Sequence, residues 1–548
     1  MSAERSSWAG PRRRRWETFR PERTVLAVAR TFTSAVRLLE ALAVFRRDAR
    51  VEVLFALDDS SAFSVGVDAL LERAGVRLVP WHEIAELGPD LVLMASENVP
   101  VRGLDAPVLV LPHGIGFHKY VPDSRGPGRR LSGVVPADRL GEPGVWMAIS
   151  HPEQREQLRA EHPEAARRCV LIGDLALDRM AASAALRDRY RDALGVGPGQ
   201  RLVVVSSTWG PGSLLARRRT LPARLLGALP ADEYRVALVA HPNVWSWHGP
   251  HQLGLWLADA FDAGLVRVPP EAGWQAALLA ADVVVGDQGS VSLYATALPR
   301  PFLLAAGDGP VVPASPAGEL ARLAVRLDDA APLAGQVARA AAQDTDRLLP
   351  LADRMFGARG RTAATLRAFV YELLELAVPD GDAPLRAVPP PEPAVDEPRS
   401  FVVHSRAEAD GALAVRRWPA AVADPGPAEP GAFRHLSVGD DEPDRRLPDN
   451  ATVLVRRAPL AGEAAAAWLS SALDRHPELL VAVTALADGG CAALLRDGSR
   501  VRATGTDDPA LAGTALYHRV RAGEPADGSA TIRVGPRTAT LSWTCQPG

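Results

Sequence analysis

From residue 24 onward, short apolar runs alternate with amphipathic ones. TVLAVA (Thr24 to Ala29) predicts a strand, and SAVRLLEALAVFRR (Ser34 to Arg47) a helix with Ser34 as its N-cap. VEVLFAL (Val51 to Leu57) predicts a second strand, followed by a helix from about Ser64 to Ala74. VRLVP, DLVLMAS, APVLVLP, VWMAIS and CVLIG continue the set. Strands that are apolar throughout and separated by helices predict a parallel sheet covered on both faces.

The pattern then restarts. A helix from about Ala184 to Leu194 ends in the turn GVGPGQ. RLVVVSS, RVALVAHP, LVRVP, ADVVVGD and PFLLAAG form a second β-α-β-α series, closed by a helix from Arg361 to Leu376. Two such halves predict an α/β protein of two Rossmann-like, doubly wound domains facing each other. The ligand belongs at the carboxyl ends of the strands. The domains expected are 21–183 and 184–378, after a basic flexible arm at 1–20. A proline- and acid-rich linker (379–399) should be extended and unpacked. Residues 400–548 mix strand-like and helical runs and predict a C-terminal α+β domain of unassigned role.

The chain has 548 residues, enough for three or four domains. Its net charge of −3 does not suit a nucleic-acid coat, so no nucleic-acid partner is expected. Lys119 is the only lysine. Three widely spaced cysteines offer neither a disulfide framework nor a metal pair, which fits a cytoplasmic location. No apolar segment reads as a signal peptide or membrane span. Trp8, Arg12–Arg15 and Trp16 leave peripheral membrane contact through the N-terminal arm open beside a plain disordered reading.

Chemistry is expected in four loops after strands. In LPHGIGFHKY, His113 is placed for general-base work, and Gly114 and Gly116 allow close backbone approach. In LVAHPNVW, His241 can donate a hydrogen bond to a diphosphate oxygen. In DVVVGDQGSVSLYATAL, Asp287, Gly289, Ser290 and Ser292 surround a helix N-terminus suited to phosphate, with Ser290 as N-cap. In VVVSSTWG, Ser206, Ser207 and Thr208 could line the same pocket. His248 and His251 have no acidic or cysteine partner, so no metal site is expected. There is no Walker A sequence, no GxGxxG opening the first half and no GxSxG elbow.

In this order, the motifs resemble the CDP-glycerol glycerophosphotransferases of teichoic acid synthesis. They also resemble the wider GT-B group with His-Gly, His-Pro and paired-serine motifs. The resemblance covers Val25 to Leu376. His113-Gly114 matches the His-Gly pair, whose histidine acts as base on the acceptor hydroxyl in that family. Asp178 in GDLALDRM matches a Gly-x-Pro-x-x-Asp motif in which Leu175 replaces the proline. His241-Pro242 matches the pair that contacts donor phosphate. Asp287 and Ser290 match an Asp-Tyr-Ser-Ser motif, with Gln288 and Gly289 replacing the tyrosine and first serine. The basic residues that usually follow His-Gly are reduced to Lys119.

The resemblance implies a metal-independent, inverting transferase that needs no cofactor. It would move a glycosyl or glycerophosphate group from a nucleotide-diphosphate donor to a glycan, polyol or lipid-linked acceptor. Two other readings share the fold. A nucleotide-sugar 2-epimerase-like enzyme would need acidic residues in the cleft, where Glu97 is the candidate. A non-catalytic nucleotide-binding or scaffold protein would suit the altered serine motif and the long C-terminal region.

Overall fold

Two all-parallel six-stranded sheets, each covered by helices, form the first two-thirds of the chain. The computed structural model describes residues 18–98, 103–122, 128–307, 309–506, 508–525 and 527–546. The basic arm expected at 1–20 lies almost wholly outside them. In the first domain the strands are β1 (Arg23–Ala29), β2 (Val51–Leu57), β3 (Leu91–Met94), β4 (Val108–Val110), a small hairpin of β5 (Tyr120–Pro122) and β6 (Arg129–Leu131), β7 (Val145–Ile149) and β8 (Cys169–Leu171). The sheet order is β2-β1-β3-β4-β7-β8. VRLVP, expected as a strand, contributes only an isolated bridge between Phe55 and Leu78.

The second sheet repeats the plan with β9 (Arg201–Ser207), β10 (Tyr234–Ala240), β11 (Val266–Arg267), β12 (Val283–Gly286), β13 (Phe302–Leu304) and β14 (Val325–Arg326), in the order β11-β10-β9-β12-β13-β14. The central strands are apolar on both faces because helices cover both. Val203, Val204, Val205, Val284 and Val285 are all fully buried.

Eight helices position the site and its supports. They are α1 (Phe32–Ala41), α2 (Leu175–Ala182), α3 (Pro242–His248), α4 (Pro250–Trp256), α5 (Trp274–Ala280), α6 (Ser290–Ala297), α7 (Thr362–Leu373) and α8 (Pro509–Ala522). Two caps differ from expectation. Thr31, not Ser34, caps α1, and Ser34 completes a capping box from the third helical position. Gly289, not Ser290, is the N-cap of α6.

The domains exchange helices across the expected boundary at 183/184. α2 precedes that boundary, yet Ala176, Leu177 and Met180 pack in the core beneath the second sheet. α7 follows it, yet Leu366, Val370 and Tyr371 pack on the first sheet beside Phe45. Asp178 fixes this return crossing. Its carboxylate accepts from Gly360 N at 2.7 Å and Thr362 N at 3.0 Å, satisfying the first turn of α7.

Residues 379–399 are extended but not unpacked. Val388 is buried, its carbonyl accepts from Tyr190 Oη at 2.7 Å, and its N–H donates to Ser183 Oγ at 2.9 Å. Ala394 exchanges backbone hydrogen bonds with Arg267, extending the sheet edge at β11. Proline-rich composition encodes the extension. It does not encode the apolar Val388, which a groove on the second domain takes up.

The C-terminal α+β domain has a specific form: nine strands between Phe401 and Gln546 close into a barrel. Closure removes exposed strand edges. The first ten residues of α8 are buried against the barrel wall. A Cβ on Gly513 would lie 2.7 Å from Val453 Cγ1 and 2.9 Å from Val483 Cγ1, so glycine permits that close approach. The barrel docks on the second domain through Asp232, which is buried. Its carboxylate accepts from Arg417 Nη2 at 2.6 Å, Arg417 Nε at 2.8 Å and Arg537 Nη2 at 2.9 Å.

Candidate active site

The carboxyl ends of the two sheets face one another across a cavity of about 480 Å³. Loops following β1, β3, β4, β9, β10 and β12 all reach it, as doubly wound topology requires. Among the expected site residues, His113, Gly114, Ser206, Ser207, Thr208, His241, Gly289 and Ser290 line it. Asp287 and Ser292 do not.

Both are buried behind the lining residues. Asp287 is 1% exposed. Its carboxylate accepts from Thr208 N at 2.8 Å, Leu214 N at 2.9 Å and Gly289 N at 3.0 Å, leaving little capacity for a ligand. Burial pushes this carboxyl up, while the three N–H donors and Lys119 pull it down. Asp287 therefore shapes the loops on either side of the cavity. Ser292 is fully buried under the same turn. The glycine that replaces the first serine also has a steric reason: a Cβ on Gly289 would stand 3.1 Å from both Asp287 Oδ1 and Thr208 Cβ. Gln288 turns away and accepts from Gly309 N at 2.9 Å.

His241 caps α3. Its Nδ1 accepts from Asn243 N at 3.1 Å. Burial, with Lys119 and His113 nearby, lowers its pKa to about 3, so the ring is neutral at physiological pH. With Nδ1 an acceptor, the proton is assigned to Nε2, the ring's remaining hydrogen-bonding position. His241 is thus a neutral N–H donor at the end of β10.

His113 is exposed to the cavity between the domains. Burial depresses its pKa first. The Lys119 and Arg37 charges add to this, and Glu97 and the Ala95 carbonyl oppose it. A neutral imidazole carries a lone pair, as a general base requires. Glu97 pairs with Arg130 at 2.9 Å. Burial would raise its carboxyl, but His113 and Arg130 outweigh burial and hold it below the usual range.

The cavity's cations are mostly spoken for. Arg30 pairs with Asp58, Arg37 with Glu40 at 3.2 Å, and Arg130 with Glu97. Lys119 is the cavity cation with no ion-pair or hydrogen-bond partner among the described residues. Burial lowers its pKa, against the pull of Asp287. Its singularity was visible in the sequence; its isolation in the cavity was not.

At the wall of the cavity, a largely buried polar network ties the domains together. Tyr294 Oη on α6 donates to Asp174 Oδ2 at 2.6 Å and accepts from Arg37 Nη2 at 3.5 Å. Glu40 on α1 accepts from Arg179 on α2 and from Gln275 Nε2 on α5 at 3.0 Å. Asp174, Arg179 and Tyr294 lie within motifs already singled out, but their pairing with Arg37, Glu40 and Gln275 exists only once the domains meet. Among the described residues, no group of three or more His, Cys, Asp or Glu side chains is arranged to hold a metal ion. None of the helices there is long and apolar enough to cross a membrane.

No family model and no curated protein matches the chain. Solved structures similar to it include the wall teichoic acid polymerase TagF, with a TM-score of 0.44 and 12% identity over 65% of this chain and 89% of that one. A UDP-GlcNAc 2-epimerase from Neisseria meningitidis bound to UDP-GlcNAc gives a TM-score of 0.39 and 13% identity, covering 64% of this chain and 99% of that chain. The S. aureus MnaA–UDP structure gives 0.36 and 12%, covering 66% and 99%.

Proposed function

We propose that the chain is a transferase that moves a glycosyl or glycerophosphate group from a nucleotide-diphosphate donor to a hydroxyl acceptor. The observation that carries this reading is the Lys119 ammonium, which has no ion-pair or hydrogen-bond partner among the described residues. It shares a cavity with two neutral histidines at strand ends, one suited to take a proton and one to donate a hydrogen bond. A half-buried cation with no ion-pair partner among the described residues calls for an anionic ligand.

The step follows from those roles. The acceptor oxygen attacks the reactive carbon or phosphorus of the donor, and His113 takes the hydroxyl proton on its ring nitrogen. The bond from that centre to the leaving phosphate oxygen breaks, and its electron pair stays on the departing nucleotide. Lys119 Nζ, His241 Nε2–H and the uncapped first turn of α6 hold the resulting negative charge. Ser206, Ser207 and Thr208 border the same pocket. The positive potential comes from the chain itself, so this reading needs no metal and no cofactor.

Thermal unfolding in the presence of CDP, UDP, GDP, CMP and their sugar or glycerol conjugates tests the reading. One nucleotide class at a hundred times its Kd should stabilise the protein by about 2.7 kcal/mol. Lys119→Met should abolish the shift. His113→Asn should keep it and abolish donor turnover. A protein that no nucleotide stabilises would sink the proposal. Glu97 in the cavity wall supports a second reading, a nucleotide-sugar 2-epimerase-like enzyme. That enzyme would interconvert nucleotide sugars with no acceptor present.

A further inference from the structure

A line of aromatic rings runs out of the cavity along its second-domain lip. Trp209, just after β9, lies 6.3 Å from the His241 ring, centroid to centroid. Phe63, from the first-domain loop after β2, packs edge-on to Trp209 at 4.9 Å and lies 5.7 Å from Trp247 on α3. Phe63 and Trp209 line the cavity, while Trp247 is 61% exposed. The line continues over α4, where Leu255 and Trp256 are 62% and 44% exposed. Large apolar side chains rarely stand this open in a row without a ligand to cover them.

The polar residues among these rings identify the ligand. Residues 242–256 contain no Asp, Glu, Lys or Arg. Their exposed or half-buried polar side chains are Ser246, His248, His251 and Gln252, all hydrogen-bonding groups. An anionic membrane surface would call for basic residues here. A stable protein partner would need roughly 800 Å² of complementary surface. Aromatic faces interleaved with hydrogen-bond donors and acceptors, in a stretch without Asp, Glu, Lys or Arg, instead match a molecule with an apolar C–H face and a rim of hydroxyls.

We propose that this track is an acceptor subsite that grips a neutral glycan chain outside the cavity and presents its terminal hydroxyl to His113. The proposal rests on the transferase reading for its direction, since the track ends at the cavity holding the base.

Isothermal titration of the full chain with maltohexaose, cellohexaose and chitohexaose tests it, with thermal shift by nucleotide run in parallel. At least one oligosaccharide should bind. Trp247→Ala should weaken that binding at least tenfold and Trp247→Phe should largely retain it. The nucleotide shift should stay unchanged in both. Trp247 is largely exposed, so both variants should fold.

Binding to none of the three sugars would overturn the proposal. So would a loss of nucleotide binding in Trp247→Ala, which would make the ring a base platform. So would phosphatidylcholine-vesicle pelleting that Trp247→Ala abolishes, which would make the track a lipid contact. Sugar binding with the expected variant pattern but no nucleotide shift would leave the track standing and remove the transferase reading.

Discussion

Gly114 and Ser290 meet across the domain boundary with no room for a side chain on the glycine. A Cβ on Gly114 would lie 2.9 Å from Ser290 Oγ, and that oxygen already accepts from Ile115 N at 3.3 Å. The glycine of the His-Gly pair therefore sets how closely the His113 loop approaches the N-terminus of α6. Gly114→Ala should cost about 1–3 kcal/mol, the usual penalty of overpacking. It should also displace His113 and lower turnover by up to about a hundredfold. Adding Ser290→Gly removes the clashing oxygen, so the double variant should regain most of the lost stability in urea unfolding. If the double variant is no more stable than the single one, the steric account is wrong.

Tyr294 and Asp174 make the corresponding contact at the wall of the cavity. Both are buried, and the hydroxyl is the link between α6 and the cap of α2. Burial raises the phenol well above its usual range, and Asp174 adds to this, so it stays a donor. Tyr294→Phe strands part of the Asp174 carboxylate and an Arg37 N–H. The expected loss is about 1–3 kcal/mol, with the ring's stacking on Phe356 kept. A change below about 0.5 kcal/mol by urea unfolding would show that the network does not hold the domains together.

Much of this arrangement was legible in the residue pattern. Runs such as Val203–Val205 are apolar on both faces and could only be central parallel strands. The loops after them, His113-Gly114 and His241-Pro242, could then only stand at the ligand-binding edge. What the pattern could not show depends on contacts distant in sequence. Asp287 looks like a ligand residue in its motif, but the N–H groups that occupy it come from Thr208 and Leu214, more than seventy residues away. The exchange of α2 and α7 between domains is equally hidden, because each helix has an ordinary amphipathic pattern that does not name its partner sheet. The aromatic track needs Phe63 from one domain and Trp209 and Trp247 from the other.

Asp287→Asn separates the two roles for that residue. The amide keeps one acceptor oxygen but turns an N–H₂ toward backbone N–H groups that need an acceptor. An unsatisfied buried donor costs about 1–3 kcal/mol. The variant should lose that much stability in the absence of any nucleotide. Full stability with nucleotide binding alone impaired would return Asp287 to the ligand-contacting set.

Acid should weaken the fold through two buried histidines. Burial holds His118 and His435 at a pKa of about 3, and both are about 4% exposed. In the unfolded chain the same rings titrate near about 6.5. Between those values the unfolded state binds more protons, so stability falls as pH drops through that window and is fully present above it. Each ring contributes up to about 1.4 kcal/mol per pH unit, or roughly 2 kcal/mol by pH 5. Urea unfolding of the full chain, followed at several pH values from about 7 to 4.5, checks this. His435→Gln should lower the slope by one proton while leaving the barrel folded, because the glutamine amide reaches the position from which His435 Nε2 meets Thr514. An unchanged slope would mean that His435 is already protonated in the native barrel, and that water reaches its ring between β17 (Phe433–Gly439) and α8.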